Sequence, residues 1–242
     1  MGFKVAHYRH SGYAWHPALQ SNQRQVNLMY LAIEGVIGVG KTSLARLLAP
    51  EFEARLVLEV FEENPFLSNF YSDRERYAFQ TQIFFLLSRY RQQCETIPDA
   101  LAIGNLIADY TFEKDALFAR LNLQNDELET YTQVHEALAE RIHRPDLIIY
   151  LRVDTDIAMQ RIATRDRSYE RNMDREYIDQ VNRAYEGFFG DRDPEKVLTI
   201  DSNQLDFVAR PEDLAHIVQR VRAVLGIPPY QSTFPMDKEV HR

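Results

Sequence analysis

A single cysteine, Cys94, stands among 242 residues, so no internal disulfide can form. The stretch from Leu86 to Cys94 reads as helix, and the thiol is expected to be a buried or bystander group. No apolar run approaches the ~20 residues that cross a bilayer, and the first residues lack the basic-then-apolar pattern of a secretion signal. A cytoplasmic protein with no membrane partner is the expectation. Positive charge is also in short supply. The net charge of −8 argues against a nucleic-acid partner, because duplex binders replace counterions with a basic surface. A small phosphate ligand needs only a local cluster of donors and stays compatible. Repeats and internal linkers are missing, and the length suits one larger α/β domain better than two.

What is present divides the chain into three parts. Residues 1–27 carry His7, His10 and His16 among aromatics without a period of 2 or 3.6, and read as a poorly ordered extension. Residues 28–226 alternate strand and helix, and residues 227–242, with Pro228, Pro229 and Pro235, read as a loose tail. Apolar runs at Met29–Ile33, Leu56–Val60, Leu101–Ala108, Leu147–Leu151 and Val197–Ile200 predict five strands covered on both faces. Helical spacing predicts helices after Lys41, from Arg74 to Ile97, from Thr155 to Arg165 and from Arg175 to Phe189. Asn64-Pro65 is expected to open a short helix, Asn125 to cap another, and Pro211 to start the last. Strands separated by helices require a parallel sheet, so the expected fold is a five-stranded α/β sheet flanked by helices. Ligands then bind at the carboxyl ends of the strands.

One motif lies at such an end. Gly35-Val36-Ile37-Gly38-Val39-Gly40-Lys41-Thr42 fits G-x-x-x-x-G-K-[ST] directly after a buried strand and before a helix. Its glycines allow the backbone N–H groups of Gly38, Val39, Gly40 and the following Lys41, Thr42 and Ser43 to curl around an anion. Lys41 can reach the outer phosphates, and Thr42 offers a hydroxyl to Mg²⁺. The pattern specifies a nucleoside triphosphate and magnesium, but no reaction.

Further motifs narrow the chemistry. They are Glu59 with Glu62-Glu63-Asn64-Pro65-Phe66-Leu67, Phe70-Tyr71, Tyr77-Ala78-Phe79-Gln80-Thr81-Gln82, Asp109-Tyr110-Thr111, Arg161-x-x-x-Arg165-x-Arg167-x-x-Glu170, and Ile200-Asp201. With the phosphate loop they make the chain resemble the deoxynucleoside kinases, from about Tyr30 to Phe207. The resemblance implies a P-loop kinase fold, a homodimer, and transfer of the γ-phosphate of ATP to the 5′-hydroxyl of a deoxynucleoside. It makes Glu59 the catalytic base, with Glu62 and Glu63 as rivals in the loop beyond. Asp109 becomes the magnesium partner of Thr42. Arg161, Arg165 and Arg167 become a lid bracing phosphate oxygens, and Asp201 marks the loop beside the adenine. Tyr71 and Glu170 would bond the sugar 3′-hydroxyl, and Gln82, Arg89 and Asp115 would read the base. The family usually has arginine where this chain has Tyr110, so another cation must supply charge there. Ala119 stands where the family often stacks a phenylalanine, and the room it leaves favours a purine.

Two other readings share the phosphate loop. A thymidylate-like monophosphate kinase needs an arginine for its charged acceptor and has less use for a strand-end base. A nucleotide-hydrolysing switch that reads guanine would show Asn/Thr-Lys-x-Asp after a late strand, and Leu151-Arg152-Val153-Asp154 does not.

Overall fold

The computed structural model describes residues 28–228, apart from Asn172 and Asp191. The extension 1–27 and the tail from 229 lie outside the described residues.

Five strands form one parallel sheet in the order β2-β3-β1-β4-β5, with β1 Tyr30–Glu34, β2 Ala54–Val57, β3 Asn105–Ala108, β4 Leu147–Arg152 and β5 Val197–Asp201. β1 is central. It pairs with β3 through Ala32 opposite Ala108 and with β4 through Ala32 opposite Ile148, and all five of its residues are buried. Burial on both faces explains its unbroken apolar run. Edge strand β2 is less covered, which explains the Arg55 in it. Nine α-helices occur among the described residues: α1 Lys41–Glu51, α2 Leu67–Ser72, α3 Arg74–Arg91, α4 Ile97–Leu101, α5 Lys114–Asn122, α6 Asn125–Ala139, α7 Thr155–Arg165, α8 Arg175–Phe189 and α9 Pro211–Val224. The core runs through the sheet into α8, whose Tyr177, Ile178, Val181, Tyr185 and Phe189 are all buried. No described helix is long and apolar enough to cross a membrane.

Several boundaries differ from expectation. The helix opened at Arg74 does not run unbroken to Ile97. A π-helical turn spans Gln92–Thr96 before α4 begins. Pro98 lacks the N–H that an uninterrupted ladder would use, and the chain passes that point by winding more widely. Leu101 ends α4 and Gly104 sits in a turn, so β3 starts at Asn105 and not at Leu101. Strand β2 stops at Val57, which leaves Glu59 beyond it and not on it. Asn64 makes a tight turn, its Oδ1 accepting from the Phe66 N–H at 3.0 Å, and α2 begins only at Leu67. Asn125 is the first residue of α6 with φ +48°, and its side chain does not cap it. Cys94 is exposed.

Candidate active site

At the carboxyl end of β1 the chain turns through Gly35–Gly40 into α1. Gly35 has φ +145°, and a Cβ there would lie 2.5 Å from the Leu151 carbonyl oxygen on β4. Gly38 has φ +86°, and its Cβ would meet Ile162 of α7 at 2.6 Å. Only glycine lets the loop sit this close to its neighbours. No side chain caps α1, so its first N–H groups face the cavity unsatisfied. Lys41 Nζ donates to the loop carbonyls of Gly35 at 2.7 Å and Val36 at 3.1 Å. Burial, together with repulsion from Lys114, lowers its pKa to about 8. Thr42 Oγ1 donates to Asp109 Oδ2 at 2.5 Å, and Asp109 Oδ1 accepts from the Glu59 N–H at 2.7 Å.

That last bond ties the chain beyond β2 to the end of β3. Gln92, in the π-helical turn, donates from Nε2 to the Leu58 carbonyl at 3.0 Å and holds the same segment from the other side. Glu59 is thereby fixed with its carboxylate inward. Arg89 donates from Nε to Glu59 Oε1 at 3.1 Å, and its Nη2 bonds the same oxygen. Lys114 Nζ donates to Glu59 Oε2 at 2.6 Å. Burial alone would raise the carboxyl's pKa, but the two cations overcome it and hold the group well below the usual carboxylate range. Behind Arg89 lies Asp115, fully buried and ion-paired to Nη1. The aromatic face of Phe85 lies 4.7 Å from the Arg89 guanidinium.

Glu34 secures the base of the site. Its buried carboxylate accepts from Thr111 N at 2.5 Å, Thr111 Oγ1 at 3.0 Å and Tyr185 OH at 2.9 Å, so the end of β1, the segment after β3 and α8 meet on one group. On the far wall Arg165 Nη2 donates to Glu170 Oε2 at 2.5 Å, and Arg167 lies 3.7 Å from Oε1 with its guanidinium 4.1 Å above the Phe61 ring. Tyr169 stacks on Tyr71 with ring centroids 6.4 Å apart. One cavity of about 960 Å³ joins these parts, from the phosphate loop to Gln82, Arg89 and Tyr71.

Comparison with known proteins points to one family. A family described as deoxynucleoside kinase matches residues 31–226. The chain belongs to the deoxynucleoside kinase family. A deoxyguanosine kinase of Bacillus subtilis is 34% identical over 201 residues, covering 81% of this chain and 97% of that protein. A deoxyadenosine kinase of Dictyostelium discoideum is 34% identical over 195 residues, covering 78% of each. The structure of deoxyadenosine kinase from M. mycoides with bound dATP superposes with a TM-score of 0.69 at 27% identity, over 80% of this chain and 99% of that one.

Within this deoxynucleoside kinase, most of the residues singled out by sequence line the one cavity: Gly38 to Ser43, Glu59, Tyr71, Gln82, Arg89, Asp109, Arg161, Arg165, Arg167 and Glu170. Three do not. Gly35 shapes the loop from beneath, Asp115 is shielded by Arg89, and Asp201 lies outside the wall with its Oδ1 accepting from the Asn203 N–H at 3.0 Å. Its neighbours from Asn203 to Val208 line the cavity in its place. Arg161 is not free to hold phosphate with every donor. It donates to the carbonyls of Val39 at 3.1 Å, Ser202 at 2.9 Å and Leu205 at 3.2 Å, joining the phosphate loop to the loop after β5. Glu62 and Glu63 are exposed in a turn. Ala119 packs in the core, and Phe118, next to it, faces the cavity. Lys114 and Glu34 went unrecognised in the sequence. The signal for Lys114 was its place in the first turn of a helix, where the macrodipole disfavours a cation.

Proposed function

We propose that the cavity transfers the γ-phosphoryl group of ATP to the 5′-hydroxyl of a purine deoxynucleoside, with Glu59 as the proton acceptor and residues 28–226 as the catalytic domain. One observation carries the reading: the Glu59 carboxylate lines the same cavity as the phosphate loop and Gln82 and is held there by two buried cations. The loop N–H groups and Lys41 hold the triphosphate. Thr42 and Asp109 offer two hard oxygens already in contact, which suits a magnesium ion completed by phosphate and water. That ion, when bound, supplies charge neutralisation at the phosphates. Arg165 and Arg167 stabilise charge on the transferring group once drawn from Glu170.

Glu59 is a weak base while Arg89 and Lys114 both hold it. Weakness suits phosphoryl transfer, because the attacking alcohol turns acidic only as its oxygen bonds phosphorus in a loose transition state. The O5′–phosphorus bond forms, the bond from the γ-phosphorus to the leaving ADP oxygen breaks, and the hydroxyl proton passes to Glu59. Tyr71, whose burial raises its pKa well above the usual phenol value, remains a hydrogen-bond donor for the sugar beside Glu170. Gln82 and Arg89 present a carboxamide and a donor fork to the base, and Asp115 fixes the fork from behind. The relatives named deoxyguanosine and deoxyadenosine kinase support a purine. A monophosphate acceptor is less suited, since it would bring charge toward Glu59 without an added arginine.

An ATP-coupled assay over the four deoxynucleosides and their monophosphates tests the reading. Phosphorylation of deoxyadenosine or deoxyguanosine is expected. Activity on monophosphates alone would overturn it. The reading includes a cytoplasmic homodimer. Leu87 on α3 is 51% exposed and suits a covered face, whereas α5 turns Leu117 and Ala119 inward. Sedimentation as a monomer at micromolar concentration would remove the dimer.

A further inference from the structure

We infer that Lys114 is the positioning residue of the transfer step: its ammonium anchors one oxygen of the Glu59 carboxylate and so aims the other at the acceptor oxygen. The inference rests on Glu59 being the base.

The geometry singles out this lysine. Its side chain is only 4% exposed, and its Nζ lies 2.6 Å from Glu59 Oε2. Lysine is scarce in this arginine-rich chain, and a buried ammonium at the start of a helix opposes both desolvation and the macrodipole. Such a placement persists only where a specific partner holds it. Tyr110, the residue after Asp109, is fully buried and neutral, so it supplies no charge.

The two cations on Glu59 are not equivalent. Arg89 already divides its guanidinium between Glu59 and Asp115, and it lines the part of the cavity that the base would fill. A planar fork drawn toward a base loosens its grip on Oε1. Lys114 has one carboxylate partner and grips the other oxygen. With Arg89 partly withdrawn, Oε1 becomes free to accept a proton while Oε2 stays anchored.

Arg89 faces Glu59 from α3 and Lys114 from α5, each on its own carboxylate oxygen. A residue that only filled space would be replaced as well by a neutral side chain as by a charged one. A residue that aims the carboxylate is replaced only by another cation opposite Oε2, and its loss is felt in turnover and not in nucleoside binding.

The test compares wild type with Lys114→Met and Lys114→Arg, with Lys114→Gln as the neutral variant if the methionine form does not fold. The neutral variant is expected to lose roughly 10- to 100-fold in kcat, with deoxynucleoside KM nearly unchanged. Lys114→Arg should recover most of the lost kcat, because it restores a cation opposite Oε2. A neutral variant with unchanged kcat, one whose loss lies in KM, or an arginine variant as slow as the neutral one overturns the inference even with an active wild type. A wild type inactive on every deoxynucleoside overturns the inference together with the function beneath it.

Discussion

At the phosphate end of the cavity, the donors come from consecutive residues, Gly35 to Ser43, and most are backbone N–H groups fixed by glycine geometry. At the nucleoside end, Glu59, Arg89, Lys114 and Asp115 come from three separate stretches of chain and meet only as side chains. The first half is shaped by glycine at single positions, because β4 leaves no room for a Cβ at Gly35 and α7 none at Gly38. The second is held by opposite charges out of water, where each group depends on the others remaining. A local motif can therefore be altered piece by piece, and a charge network fails as a unit.

The comparison breaks first at Arg89. Arg89→Leu strands Asp115 as a buried carboxylate without a counter-charge and should cost about 3–5 kcal/mol of stability. Denaturant unfolding reads it, and an unchanged midpoint would show the two ends to be equally local. Next comes Glu59→Gln, expected to lower turnover ~100-fold or more while ATP affinity stays within about twofold. Unchanged turnover would transfer the role to Glu62 or Glu63. The third prediction concerns the phosphate end alone. Lys41 carries its charge below about pH 8 in the free protein, so ATP affinity should weaken as pH rises through that value, by up to about tenfold per unit. Titration calorimetry from pH 7 to 9.5 checks it, and a flat profile would mean that the loop N–H groups suffice. The smallest effect belongs to Gln82→Ala, which removes about one neutral hydrogen bond and should raise deoxynucleoside KM about threefold to tenfold with ATP affinity unaffected.

The same contrast explains what could be read beforehand. The phosphate loop was legible because its residues are contiguous and its strand and helix follow from buried apolar spacing. The helices at Thr155–Arg165 and Arg175–Phe189 were legible for the same reason. The partners of Glu59 were only half visible. Arg89 and Asp115 entered through a resemblance, whereas their ion pair and the bond from Lys114 depend on how α3 and α5 pack, which no local pattern records. The π-helical turn was invisible because Gln92–Thr96 keeps ordinary helical composition, and so was the bond from Gln92 to the Leu58 carbonyl. The early start given to β3 came from apolar Leu101 and Ile103. Ile103 is in fact 65% exposed in a turn.

The contacts of Glu170 carry a last consequence. This one acid pairs with Arg165 at 2.5 Å and lies 3.7 Å from Arg167. Two guanidinium groups on the cavity wall are thus aligned through a single carboxylate and not each by a partner of its own. A change at Glu170 would disturb both at once, whereas a change at either arginine leaves the other still oriented.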